Sequence, residues 1–212
     1  MVEKFHFPTY AEQLETLKMP AGRRKAMLAG IKLFAKQGYH ATSTVQIAQE
    51  AGISQATIFK YFKTKEDLLL GICEPMVELV GRPFIDKLTS LSDLEDMIHF
   101  FVRDRYAFVS ANIDLVKIVS QEIFISFGLR QIILKDFQKV FLDTHQLIAN
   151  LRKNNPTIAK DLSDLDIIRI FVGPLFTYIV QRHFLNIPSQ DENRDLELVE
   201  RQVLQSLIDL RN

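Results

Sequence analysis

Apolar positions along this chain recur mainly at helical spacing, and the punctuation between the runs is that of short loops. Ala26, Met27, Ile31, Leu33, Phe34 and Ala35 give one core face to a helix that Pro20 favours at its start and Gly38 ends. Val45, Ile47, Ala48 and Ala51 line one face of a second, shorter helix, and Ile53, Ile58 and Phe62 continue the apolar face after the break at Ala51-Gly52. Ser43 with Gln46 three residues on caps the former, and Ser54 caps the latter. Thr64 caps a fourth helix that opens with Lys65-Glu66-Asp67 and runs toward Val80, where Gly81 and Pro83 disturb it. Further helices are predicted over Leu91–Ser110 (with Ser92 and Glu95 as a capping box), Asn112–Phe127, Gly128–Asn154, Ser163–Leu185 and Glu192–Leu210. The pattern predicts an all-α protein. An N-terminal extension (1–19) precedes a three-helix helix-turn-helix domain (20–65), and a larger helical bundle for ligand binding and dimerisation follows (66–212).

Two short amphipathic helices joined through Gly52 have the length and turn of a helix-turn-helix. The second, roughly Gln55 to Phe62, buries Ile58 and Phe62 and leaves Gln55, Ala56, Phe59 and Lys60 facing outward behind the Ser54 cap. Gln can pair with an adenine edge, Ala and Phe can touch a thymine methyl, and Lys can reach a guanine or a phosphate. Thr44, Thr57, Tyr61 and Lys65 suit the DNA backbone, which fixes register without carrying sequence information. An ordinary helical hairpin with a solvated face is the plainer alternative.

The run from the helix around Arg23–Gln37 through Gly38-Tyr39, Thr42-Ser43, Ile47-Ala48, Ala51-Gly52-Ile53-Ser54, Thr57-Ile58-Phe59, Tyr61-Phe62 and Lys65-Glu66-Asp67-Leu68-Leu69 resembles the TetR family of bacterial transcriptional repressors. The resemblance covers about 50 residues; the remainder agrees with the family only in length and helical character. It implies that Thr44, Gln55, Thr57, Phe59, Tyr61 and Lys65 lie at the DNA, and that the bundle binds an effector of unspecified chemistry. Two departures shift the expectation. Phe59 stands where many members have Tyr and lacks the hydroxyl, and Val45 stands where some have Arg, so base reading falls mainly on Gln55 and Lys60.

Charge agrees with that division. The whole chain is neutral, but Met1–Lys65 holds ten Lys and Arg against four Glu, a net +6, which leaves −6 on the rest. A basic end on an acidic body turns its N-terminal face toward a polyanion. The single cysteine, Cys73, excludes an intramolecular disulfide and fits a reducing cytoplasm, where it reads as a small buried apolar residue. No signal segment is apparent, and the longest apolar stretch, Ile167–Val180, is too short for a bilayer and contains Arg169, so no membrane partner is expected. Phosphate loops, HExxH, cysteine clusters and GxSxG turns are all absent, and the five histidines are dispersed; neither a cofactor nor catalysis is expected. In the extension, Phe5, Phe7 and Tyr10 can cover apolar surface, and its acidic residues argue against a minor-groove arm.

The bundle is rich in phenylalanine, with Phe100, Phe101, Phe108, Phe124, Phe127, Phe137, Phe141, Phe171, Phe176 and Phe184 on successive helices. Most such stripes are core, but helix bundles also place ligand cavities between facing helices. His99, Phe100, Arg103, Tyr106, Gln121, Phe124, His145, Phe176 and Tyr178 are the candidates to line and orient a small, largely apolar or aromatic effector. The last two helices are apolar over more than one face, so Ile168, Phe171, Val172, Leu175, Ile179, Val199, Val203 and Leu207 are expected to meet a second copy in a two-fold interface. A homodimer addresses two half-sites in successive major grooves, which predicts a near-palindromic double-stranded operator. A helical enzyme with an aromatic pocket, and an architectural DNA-binding protein without an effector, are the competing readings.

Overall fold

A computed structural model describes residues 9–125 and 127–208, and every regular element among them is helical. Phe5, Phe7 and Leu210 lie outside the described residues, as do the side chains of Phe137 and Phe141. The chain forms two compact units. One holds the described chain up to Pro83 and returns with Asn112–Gln138; the other holds Phe84–Ala111 and the described chain from Lys139 onward.

The first unit begins with an element the apolar pattern did not predict, α1 (Tyr10–Thr16). It forms because Thr9 and Glu12 make a capping box that satisfies two backbone donors at once, and because Tyr10 and Leu14 are buried one turn apart. α2 (Ala21–Gln37) follows Pro20 and buries Ala26, Met27, Ala29, Leu33 and Phe34. Gly38 ends it at φ 85°, a conformation open to glycine at little cost. The Ser43–Gln46 capping box starts α3 (Thr44–Ala51), left-handed Gly52 stops it, and Ser54 starts α4 (Gln55–Tyr61). α5 (Lys65–Met76) carries Pro75 inside it and passes into a π-helical turn, Val77–Gly81, before α6 (Arg82–Ser90). Gly81 and Pro83 thus lie at the end of a widened turn. α8 (Ile113–Ile125) packs on α2. Arg130, in the first turn of α9 (Phe127–Asn154), donates to the carbonyls of Ile123 (3.1 Å) and Phe124 (3.0 Å) and so closes the end of α8. The unit holding the helix-turn-helix therefore extends past residue 65 and includes α5 and α8.

The second unit packs α7 (Leu94–Ala111), α10 (Asp164–Ile179) and α11 (Glu192–Leu207) on one another. Its core gathers Met97, Ile98, Val102, Ile148, Leu151, Ile167, Phe171, Leu175, Val199, Val203 and Leu207, and Phe84, Phe100 and Phe101 pack at its margin. A second π-helical turn, Val180–Phe184, ends α10. α11 stops at Leu207, where Ala159 N–H donates to the Leu207 carbonyl at 2.9 Å and Ile158 bridges Ile208.

Candidate nucleic-acid interface

The two short helices meet through Ile47, Ala48, Ile58 and Phe62, all buried. With that face committed, Gln55, Ala56, Phe59 and Lys60 of α4 are left exposed, together with Ser54 before it and Val45 on α3. Exposure of Phe59 (39 %) and Val45 (46 %) on so small a unit leaves two apolar groups on the surface beside Gln55 and Lys60. This is the mixture that base edges and thymine methyls accept. Thr57 and Tyr61 are half-buried because α4 runs close to the start of α2: a Cβ on Gly22 would lie 3.0 Å from Thr57 Cγ2 and 3.2 Å from Tyr61 Cε2. The Thr57 hydroxyl also shares a 2.8 Å hydrogen bond with that of Ser54. Thr44 opens α3 half-buried.

Lys65 has partners within the chain. Its Nζ donates to the carbonyls of Tyr39 (2.8 Å), Thr42 (3.0 Å) and His40 (3.3 Å) and sits 4.4 Å from the centre of the Tyr39 ring. The ammonium therefore fastens the loop before α3 to the start of α5. Burial lowers its pKa, and the carboxylate of Glu122 opposes that shift. Glu122 itself is buried on α8 and faces His40 Nε2 at 2.9 Å. Burial, reinforced by Glu122, pushes the Tyr39 phenol up to about 12. His40 and Glu122 were not among the residues expected to matter. A lone carboxylate within the apolar run Ile118–Ile125 was the available signal, but its partner lies about 80 positions earlier in the chain. Lys18, Lys25 and Lys63 add exposed positive charge to the same unit.

The residues expected to line an effector site are divided between the two units. Gln121 and Phe124 belong to the first unit and are exposed, Phe124 by 80 %. In the second unit most of the polar candidates tie helices together. Arg103 Nε meets Glu200 at 2.6 Å and His99 meets the same carboxylate at 3.2 Å; Tyr106 donates to Glu192 at 2.5 Å, Tyr178 to Asp195 at 3.2 Å, and His145 pairs with Asp164 at 2.5 Å. Two pairs of candidates lie together, His99 with Arg103 on the Glu200 carboxylate and Tyr106 with Tyr178, whose ring centres are 5.4 Å apart; Phe100 stacks on Phe84, and Phe176 is exposed. A small cleft of about 130 Å³ between Thr89, Leu91, Met97, Leu147, Leu151 and Asn154 includes none of the candidates. Among the described residues no group of three or more His, Cys, Asp or Glu is placed to hold a metal ion.

The apolar candidates for a second copy divide likewise. Phe171, Leu175, Ile179, Val199, Val203 and Leu207 are buried within their own unit, Ile168 is half-buried, and Val172 is exposed. The apolar groups left on the surface of α10 and α11 are Leu165, Val172, Phe176 and Leu198. The breadth of apolar sequence in these helices is absorbed by packing on α7 as well as on each other.

Comparison with known proteins names the helix-turn-helix. Residues 27–72 match the family model described as bacterial regulatory proteins, tetR family. Over those residues the chain carries the helix-turn-helix of the TetR family. An HTH-type transcriptional regulator of Bacillus subtilis, YerO, is 44 % identical over 52 residues, 24 % of this chain and 18 % of that protein. The match thus spans less than a fifth of that relative's length. A TetR-family transcriptional regulator from Mesorhizobium loti superposes with a TM-score of 0.71 at 17 % identity, covering 89 % of this chain and 97 % of the other. The B. subtilis regulator FadR, solved with stearoyl-CoA, gives 0.69 at 19 % identity, covering 87 % and 97 %. At those identities the likeness shows a shared fold, an N-terminal helix-turn-helix followed by a helical bundle. The relatives carry the names of regulators and not of enzymes. No helix among the described residues is long and apolar enough to cross a membrane.

Proposed function

We propose that this chain is a cytoplasmic transcriptional regulator of the TetR family, a repressor that binds a near-palindromic operator as a homodimer and is released by a small, largely apolar or aromatic effector. The observation that carries the reading is the outward face of α4, where Gln55, Ala56, Phe59 and Lys60 stand exposed on a capped helix whose other face is fixed by Ile58 and Phe62. Gln55 and Lys60 read bases; Thr44, Thr57, Tyr61 and the lysines at positions 25 and 63 serve the phosphates. Leu165, Val172, Phe176 and Leu198 meet the second copy, a choice supported by their exposure when most of the girdle is internal. The stearoyl-CoA complex of FadR supports an effector with an extended apolar part, which the phenylalanine-rich second unit suits. Such an effector shifts the population strongly only if it binds the two states several kcal/mol apart.

Selection from a pool of random duplexes tests the reading. An enriched, two-fold symmetric site is expected, with affinity that falls steeply with salt. In the Gln55→Ala variant the preference at one position of each half-site should relax, with a loss of about 1–3 kcal/mol of discrimination there. Absence of any enriched sequence overturns it. Addition of stearoyl-CoA should weaken binding to the enriched duplex; a binder that neither this nor any other acyl or aromatic probe displaces is the architectural protein instead.

A further inference from the structure

α1 precedes the helix-turn-helix, yet it is anchored at two distant points of its unit. The Tyr10 amide donates to Oδ1 of the buried Asn112 at 2.6 Å, and the Tyr10 hydroxyl, on a side chain only 1 % exposed, donates to the carbonyl of Ile72 on α5. Burial, with Cys73 and Glu74 adding to it, pushes the phenol well above its usual range and keeps it a donor.

That carbonyl lies just ahead of a double defect. Pro75 has no N–H to offer Gly71, and its ring crowds the Gly71 carbonyl, so this turn of α5 lacks one of its hydrogen bonds. From Val77 to Gly81 the ladder then widens into a π turn. A helix interrupted in two successive turns bends there more readily than elsewhere. α5 is also the helix whose direction the DNA-reading face depends on. Its first residue, Lys65, holds the Tyr39–Thr42 loop, and Leu68 and Ile72 pack against Gly30 of α2, with a Cβ there coming within 3.2 Å and 3.3 Å of them. Phe62, at the end of α4, packs on Gly71 in the turn that Pro75 deprives of a hydrogen bond.

We propose that Tyr10 is a positioning residue for the recognition helix: acting from α1, its hydroxyl clamps the broken turn of α5 at Ile72 and holds Gly71, and with it Phe62 and α4, in place. The consequence for DNA rests on the function proposed above, whereas the clamp itself does not.

Hydrogen exchange on the full chain, in the variants Tyr10→Phe, Pro75→Ala and the pair together, tests both parts. Tyr10→Phe keeps the ring, and the loss of one buried hydrogen bond should speed exchange of the amides within residues 73–82 about five- to tenfold while the second unit is unchanged. In the Pro75→Ala background the turn has its own backbone donor, and the same change should speed exchange less than about twofold. Unchanged exchange at 73–82, uniform acceleration throughout the unit, or an equal effect in both backgrounds overturns the clamp. Affinity for the selected duplex should fall about fivefold or more in Tyr10→Phe with the salt slope unaltered. Faster exchange with unchanged affinity overturns the positioning role. If the parent chain selects no duplex, the proposed function fails, and the exchange data still decide the clamp.

Discussion

Replacing Lys65 by methionine separates two ways in which a lysine supports DNA binding. Methionine keeps much of the apolar stem and removes the ammonium, which donates to the Tyr39, Thr42 and His40 carbonyls and lies over the Tyr39 ring. Hydrogen bonds from a charged donor contribute about 1.5–3 kcal/mol each when buried. The three share one charge, however, and water can reach the loop to rehydrate the freed carbonyls, so the combined loss is roughly 2 kcal/mol and not the sum. For a chain of this size that lowers the melting temperature by about 4–8 °C. The assay is calorimetry alongside duplex affinity measured from low to moderate salt. A lost phosphate contact reduces the slope of log affinity on log salt by about 0.9 per protomer. Lys65→Met should lower stability and affinity with the slope unchanged, because the loop before α3 loosens and no phosphate contact is lost. Lys63→Met should reduce the slope and leave the melting temperature alone. If Lys65→Met instead leaves the melting temperature unchanged and cuts the slope by about 0.9, the ammonium serves the phosphates and the assignment to the loop is refuted.

Three further outcomes are expected. Gly71→Ala places a Cβ 2.6 Å from Phe62 Cε1 and should destabilise the chain by about 1–3 kcal/mol in chemical denaturation; a neutral variant means that Phe62 does not pack on Gly71. Phe176→Glu, at a side chain 62 % exposed, should give a folded monomer by sedimentation, whereas Val203→Glu, at one fully buried, should lose its helical circular dichroism; a dimeric Phe176→Glu excludes this face. The Tyr39 phenol is raised from its usual 10 to about 12 in the folded chain, so its contribution is complete below pH 10 and disappears as the pH climbs toward 12. Tyr39→Phe should flatten that part of the stability–pH curve, and an unchanged curve rules this out.

Local chemistry made much of the fold legible. Ser43–Gln46, Gly52 and Ser54 lie at the helix ends where their backbone demands put them, and the outward residues of α4 follow from which residues point inward. α1 carried an equally local signal in Thr9 and Glu12, but too few apolar positions to give it a period. Gly81 and Pro83 mark the disturbed end of the helix that opens at Lys65, but the α form is already left at Val77, just after Pro75, and the π turn there has no local signal in the sequence.

Sequence alone determined that the chain is helical, where α4 starts and stops, and which of its positions face outward, because capping, turns and periodicity act within a few residues. Tertiary structure decided which apolar face is internal and which is left over. Periodicity shows that Val203 and Phe176 are apolar but not that the first is fully buried in the core of its unit while the second is left 62 % exposed. It also decided that Lys65 binds carbonyls, that Glu122 meets His40, and that Tyr10 reaches Ile72, since each partnership joins residues tens of positions apart that only the packed helices bring within hydrogen-bond range.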